Sequence, residues 1–226
     1  MNAREVVLAS VRRNLPVPSV PLPDAPRVAR QEVVACLGYG GNLHGLPRVQ
    51  HACNAEGAVV ANFKKQLEGM GGRSFEVANA ARVQLKVTEL FPAAKIVCSA
   101  VPEVQGNRRL ESGSDPHLLN DVDVGVIRST LGVAEAGAVW LTQNELVVNA
   151  LGVLSQHLVV LLDPEAIVET MHDAYDRINL TASPYGVFMA GPSATGDIEG
   201  VIIHGAQGAR SLTVLLMGRE PEKARP

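Results

Sequence analysis

The strongest constraint on the fold of this chain is an alternation between two apolar periods after residue 50. Apolar residues recur at helical spacing over residues 59–70 and again over 80–91. A short strand is expected after each of them, at 73–77 and at 95–98. A glycine pair ends the first helical pattern, and a proline stops the second. Helix, strand, helix, strand in this order predicts an α/β fold with a mostly parallel central sheet and helices on both faces.

The second half of the chain is richer in strand patterns and adds one helix. A buried strand pair is expected within residues 146–162, and Asp163-Pro164-Glu165 is a good helix start, with Asp as the cap and Pro at the first helical position. The buried face of this helix is expected to carry Ile167, Val168, Met171, Tyr175 and Ile178. The expected strands cover residues 122–127, 138–141, 147–148, 157–162, 187–190 and 212–217.

Proline and glycine divide the chain into an arm, a domain and a tail. Residues 3–15 have the spacing of a short amphipathic helix, and five prolines between residues 16 and 26 exclude regular structure after it. This arm is interpreted either as a subunit contact or as a loosely attached terminus. The glycine-rich run 38–45 lacks the order of a nucleotide-binding loop. The predicted organisation is an N-terminal arm over 1–49, an α/β domain over 50–218 and a polar tail over 219–226.

Charge and composition exclude several classes of function. The net charge of −3 comes without any block of like charges, so the chain has no electrostatic footprint for DNA or RNA. The uncharged, largely apolar stretch 146–162 is shorter than the about 20 residues that span a bilayer, and no signal peptide is visible, so a cytoplasmic location is expected. Cys36, Cys53 and Cys98 are widely spaced, so neither a metal nor another cofactor is expected.

The first candidate site is a run of small residues, 132–138, around a single carboxylate. Glu135 lies there between two predicted strands. Small residues allow a backbone or a ligand to approach closely, and a desolvated carboxylate can act as a base or a nucleophile. A solvated glutamate in a turn has the same spacing, so both interpretations stay open.

The second candidate site is the loop 191–200, which follows a predicted strand. A strand, a tight loop and then a helix start is the arrangement that binds anions, because free N–H groups and the helix dipole point at the loop. Ser193 and Thr195 would contact the anion or, alternatively, only cap the helix. Asp197 and Glu199 suit the first turn of a helix but would repel a phosphate.

A turn downstream adds two further candidates, His204 and Arg210. The guanidinium of an arginine offers a bidentate fork for a carboxylate, whereas a lone histidine is more often a structural hydrogen-bonding group. Because ligands gather at the carboxyl ends of parallel strands, we expect Glu135, Ser193, Thr195 and Arg210 to converge on one cleft there. The Glu135 carboxylate should then face an opening within about 10 Å of the 193–197 loop. The alternative is that Glu135 only accepts backbone N–H bonds.

Together these stretches resemble the family of lactate-utilization protein C, the LUD domain. The chain reads AEAGA at 134–138, GPSATGDIE at 191–199 and GAQGAR at 205–210, and His157 resembles the family's histidine at the start of a strand. The resemblance covers about residues 56–218. With it, Glu135 is the candidate catalytic residue, and the ligand-binding candidates are Gly137, Gly191, Ser193, Thr195, Asp197, Glu199, His204 and Arg210.

Four positions depart from the family pattern. Ala136 and Ala138 stand where threonines are usual, so two hydroxyl groups are missing. Gln207 stands where histidine is usual, and Ala209 where proline is usual. A ligand contact made by those groups in relatives would be altered in this chain.

The resemblance also carries expectations about fold and function. It implies the fold of ribose-5-phosphate isomerase, glucosamine-6-phosphate deaminase and the CoA-transferases. It further implies a role in oxidising L-lactate to pyruvate, beside partner proteins that carry iron–sulfur clusters. One hypothesis is an accessory subunit of that system, with a pocket for a small carboxylate or phosphate. The other is an independent enzyme that uses Glu135 as a base or nucleophile on a small acid, a CoA ester or a sugar phosphate.

Overall fold

The structure of the chain, a computed structural model, describes residues 57–197 and 200–218 together with Glu5. The chain divides into two units, Met1–Ala52 and Cys53–Pro226, and the second unit contains the α/β domain. The predicted N-terminal helix, the proline-rich and glycine-rich stretches and the tail 219–226 lie outside the described residues. The predicted division into arm, domain and tail therefore stays a prediction.

Helices and strands of the domain are numbered here in chain order. They are α1 (Ala58–Gly69), β1 (Arg73–Glu76), α2 (Ala80–Leu90), β2 (Val97–Ser99), β3 (Val124–Ser129), β4 (Leu131–Val133), β5 (Ala138–Thr142), α3 (Gln143–Leu146), α4 (Leu151–Leu154), β6 (His157–Leu162), β7 (Ile167–Val168), α5 (Met171–Arg177), β8 (Gly186–Met189), β9 (Ala194–Thr195), β10 (Ile203–His204) and β11 (Ser211–Leu216).

The central sheet has five strands, all parallel, in the order β1-β11-β6-β3-β2. The parallel sheet and the α/β class are confirmed. Strand β2 begins two residues later than predicted, because the backbone N–H groups of Lys95 and Ile96 donate to the Asp123 carboxylate instead of pairing with a strand. Strand β11 lies between β1 and β6, so within the described residues β1 pairs only with β11.

Alternate residues of the sheet face two different helices, as expected for a sheet covered on both sides. Val159 and Leu161 of β6 belong to the apolar cluster that contains the buried face of α2. Leu158 and Val160 face the cluster that contains Phe63 of α1. Both helices match the predicted helical periods closely. The side chain of Asn79 caps α2 by accepting a backbone N–H bond.

A second sheet of four strands, β7-β4-β5-β8, packs beside the first and was not predicted. Strands β4 and β5 form an antiparallel hairpin, and β8 pairs antiparallel with β5. The strand expected at 187–190 is therefore half-buried in this second sheet and is not one of the buried central strands. Helix α5 covers the outer face through Ala174, in a small cluster with Leu131, Val133, Trp140 and Val168.

Two local predictions in this half of the chain were wrong. No strand forms at 147–148, because Val147 has a φ of 61° at the end of α3, and only one strand, β6, lies within 146–162. The single helix expected after Asp163 is divided into a 3-10 turn, the short strand β7 and helix α5. Thr170 forms a new capping box with Asp173 at the start of α5. In this helix Tyr175 is 54% exposed and not buried as predicted.

Among the described residues, no helix combines the length and apolarity needed to cross a membrane.

Candidate functional site

The turn that carries Glu135 joins β4 to β5 and packs against the C-terminal half of α1. Gly137 has a φ of 58°, and a Cβ atom there would lie 2.2 Å from the backbone N of Leu67 and 2.6 Å from the carbonyl carbon of Gln66. Only glycine allows this approach. The glycine at position 137 is thus explained by contact with the helix.

The Glu135 carboxylate is exposed and contacts the first turn of α5. Its Oε1 accepts a hydrogen bond of 2.9 Å from the backbone N–H of Met171, and its own N–H donates to the Glu169 carbonyl at 3.0 Å. A carboxylate at a helix start also suits the helix dipole. The hydrogen bond from Met171 agrees with the alternative interpretation, in which Glu135 accepts backbone N–H bonds.

The loop after β8 leads into a hairpin and not into the expected helix. Strand β9 pairs with β10, and the described part of the stretch, 191–197 and 200–210, contains no helix. Thr195 caps a turn instead, since its Oγ1 accepts from the Asp197 N–H at 3.3 Å. The predicted helix start is therefore wrong, and anion binding at this loop stays a prediction. Glu199 lies outside the described residues.

This loop lies at the amino edge of the central sheet, and not at the carboxyl edge as predicted. The N–H of Ser193 donates to the Ala209 carbonyl at 2.9 Å, and the N–H of Arg210 donates to the Gln156 carbonyl at 2.8 Å. Ala209 and Arg210 directly precede β11, and Gln156 directly precedes β6. Both strands therefore begin beside the loop.

The two predicted stretches nevertheless meet the same part of the fold, the end of α1. Gly191 approaches the Met70 carbonyl so closely that a Cβ atom would lie 2.2 Å from its oxygen, a few residues beyond the contact of Gly137. Strand β5 separates β4 from β8, which places two strand spacings, about 10 Å, between them. The carboxylate of Glu135 is turned toward α5, on the β7 side of β4. A cleft shared with Ser193 and Thr195 stays a prediction.

A polar cluster at the amino edge of the sheet contains His157, Ser211, Arg73, Arg210 and Asp123. The parallel register sets the first residues of β6 and β11 side by side, and the Nδ1 of His157 lies 2.8 Å from the Oγ of Ser211. His157 and Ser211 are 54 residues apart in the chain, so the pairing of β6 with β11 is what brings them into contact. The sequence marked Arg210 and the position of His157, but nothing in it linked them to Arg73 or Ser211.

The imidazole of His157 is kept neutral by its surroundings. Burial lowers its pKa from the usual 6.5, and the positive charges of Arg73 and Arg210 lower it further, against a smaller opposing effect of Asp123. Backbone N–H bonds from Ile96 and Lys95 lower the pKa of the Asp123 carboxyl group, which is therefore ionised at neutral pH. The ring of Phe91 stacks on the imidazole, with 4.7 Å between centroids.

This cluster can bind a small anion. Neither Arg73 nor Arg210 makes an ion pair or a hydrogen bond with any described side chain, so both guanidinium groups are free to take a carboxylate or a phosphate. The neutral imidazole and the hydroxyl group of Ser211 can each donate or accept a hydrogen bond. Within residues 57–197 and 200–218, no three His, Cys, Asp or Glu side chains gather as ligands for a metal ion.

The lowered pKa of His157 predicts a loss of stability on mild acidification. Between 6.5 and the lower pKa of the folded state, the unfolded chain binds more protons, so the free energy of unfolding falls as the pH falls. We expect the Tm of the wild type to drop more between about pH 7 and about pH 5.5 than the Tm of His157→Gln. The lowered pKa of Asp123 changes the stability only below pH 3.8, the usual pKa of that group, which lies outside this pH range. Parallel curves for the two proteins would contradict the assignment.

Comparisons with known proteins agree with the fold. Residues 109–217 match the family model described as LUD domain. Among solved structures, the chain is similar to a DUF162 family protein from Deinococcus radiodurans, with a TM-score of 0.58 and 16% identity over 71% of this chain and 96% of that one. At this identity the likeness concerns the fold alone. No curated protein matches the chain.

Proposed function

We propose, from the premise that residues 109–217 of this chain are a LUD domain, that the protein is an accessory subunit of an L-lactate-oxidising system. The motifs at 134–138 and 191–210 support this proposal by their resemblance to lactate-utilization protein C. In such a system the electrons removed from lactate pass to iron–sulfur clusters, which partner proteins hold. The role of this chain is then to bind the substrate or product and to contact those partners.

The observation that carries the proposal is the pair of free guanidinium groups, Arg73 and Arg210, near the His157–Ser211 pair. Lactate and pyruvate each combine one carboxylate with one neighbouring oxygen atom. An arginine fork binds the carboxylate in two hydrogen bonds, and the imidazole or the hydroxyl group reaches the second oxygen. We do not propose Glu135 as a catalytic base, because its carboxylate is engaged at the start of α5.

Growth and co-purification test the proposed role. Deletion of the gene in its native host should abolish growth on L-lactate and leave growth on pyruvate unchanged, and the wild-type gene should restore it. A tagged copy, purified from lactate-grown cells, should bring down proteins that contain iron–sulfur clusters. Normal growth of the deletion strain on L-lactate as sole carbon source would overturn the proposal.

The arginine pair gives a separate prediction about binding. We expect Arg73→Gln together with Arg210→Gln to weaken pyruvate binding at least 10- to 100-fold, because the loss of a single charged hydrogen bond, worth roughly 1.5–3 kcal/mol, already has this effect. Titration calorimetry on the full chain measures this. Arg82→Gln is the matched control, since Arg82 is exposed in the first turn of α2, which follows the carboxyl end of β1. Equal loss in the control, or unchanged binding in the double variant, would contradict the assignment.

A further inference from the structure

A cavity lies on the other side of the domain, away from the polar cluster at the amino edge. It has a volume of about 340 Å³ and is called here the Trp140 pocket. Thr130, directly after β3, and Thr142, the last residue of β5, contribute to its wall. Ala166, in the turn after β6, contributes from the same side. The ends of three strands thus open into it, which is where ligands of α/β folds usually gather.

One wall of the Trp140 pocket is apolar and fixed in place. The indole of Trp140 is only 9% exposed and lies 4.6 Å from the ring of Phe188, between centroids. It also lies over Gly186, where a Cβ atom would come within 2.4 Å of the ring. Leu131 and Ile178 extend the apolar surface. A held indole is a preorganised surface for an apolar ligand group, because it loses little freedom on binding.

The polar side of the Trp140 pocket carries one cation and one carboxylate. Arg177 ends α5, and its guanidinium group is exposed, with no ion pair or hydrogen bond to any side chain in the described part of the domain. Glu145 is half-buried, and its Oε2 accepts from the backbone N–H of Thr142 and from the hydroxyl group of that residue. The other oxygen of Glu145 takes part in no hydrogen bond with a described group.

From this arrangement we propose that the Trp140 pocket binds an apolar α-amino acid in its zwitterionic form. The carboxylate of the ligand pairs with Arg177, and its ammonium group pairs with the free oxygen of Glu145. The apolar side chain packs on Trp140, Leu131 and Ile178. A simple anion is disfavoured because Glu145 would repel it, and a simple amine is disfavoured because Arg177 would repel it. The proposal is independent of the lactate-related function and uses none of the residues of the amino-edge cluster.

Three probes separate these possibilities on the full-length protein. L-Leucine carries both charges, 4-methylpentanoate carries only the carboxylate, and 3-methylbutylamine carries only the ammonium group, all with the same branched chain. We expect L-leucine to bind saturably in titration calorimetry and to raise the Tm, and the other two to bind about tenfold or more weakly. Equal binding of 4-methylpentanoate, or no saturable binding of L-leucine or L-phenylalanine at millimolar concentration, would overturn the proposal.

Two charge variants locate the binding in this pocket. Arg177→Gln should weaken L-leucine binding by about 10- to 100-fold. Glu145→Gln should do the same while keeping the capping box, because glutamine can accept the same backbone N–H bond. The Tm without ligand should stay close to that of the wild type in both. Arg82→Gln again serves as the control, because Arg82 is exposed on α2 and does not line the pocket. Undiminished L-leucine binding in both pocket variants would place the amino acid elsewhere and overturn the proposal.

Discussion

Replacing Gly137 by alanine is expected to lower the free energy of unfolding by about 2–5 kcal/mol. The left-handed backbone conformation, φ 58°, costs an L-residue roughly 1–2 kcal/mol. The added Cβ atom would also lie 2.2 Å from the backbone N of Leu67, and a helix backbone cannot move aside as a flexible side chain can. Overpacking of this kind costs about 1–3 kcal/mol more.

Urea unfolding of the full-length chain measures the effect of Gly137→Ala, with Gly113→Ala as the matched control. Gly113 has a φ of 86°, but nothing lies within 4 Å of the position that its Cβ atom would take. The control should therefore lose only the backbone contribution, roughly 1–2 kcal/mol. A loss in Gly137→Ala no larger than in the control would contradict the close contact between the Glu135 turn and α1.

The second large effect is expected for Phe63→Ala, at about 3–5 kcal/mol of lost stability. Phe63 is fully buried, and its ring reaches under β4, where a Cβ atom on Gly132 would lie 3.4 Å from its Cε2. The ring shares one apolar cluster with Val160 of the central sheet and Val139 of the second sheet. Its removal therefore leaves a cavity between the two sheets.

Leu85→Ala is the control for this variant, because Leu85 lies on α2 and is 59% exposed. A surface change of this kind is expected to alter stability by no more than about 0.5 kcal/mol. Both variants should keep the denaturant slope of the wild type, since the surface exposed on unfolding hardly changes. If Phe63→Ala cost as little as Leu85→Ala, the packing between the sheets would be looser than described.

The helices and strands that show a regular spacing or a continuous run of apolar residues were predictable from the sequence. Helix α1 shows its buried stripe at Phe63 and Leu67, and the buried strands β6 and β11 are continuous apolar runs. The second sheet was not predictable, because apolar runs do not reveal their partners. Strand β8 looks like a central strand by composition, yet it pairs antiparallel with β5. Val147 looked like a strand residue too, and its positive φ follows from the end of α3.

The candidate site was predictable only in pieces. The loop around Ser193 and the turn around Glu135 were recognised, and both contact the end of α1. The loop was predicted at the carboxyl edge of the central sheet and lies at the amino edge, because the strand that precedes it, β8, belongs to the second sheet. The His157–Ser211 pair depends on the register between β6 and β11, which no local pattern encodes. The Trp140 pocket likewise combines residues whose proximity only the folded chain creates.

The position of β11 beside β1 has a consequence for how the protein is made. Strand β1 is synthesised before the other strands of the described domain, yet its sheet neighbour among the described residues, β11, is synthesised after all of them. Until then β1 and one edge of β6 lack their backbone partners, and unpaired strand edges of this kind favour aggregation during translation. Ribosomes stalled before β11 is made would therefore carry a chain whose central sheet lacks a middle strand. Chaperone binding to the nascent chain should be greatest at that stage. It should end once β11 has been added to the sheet.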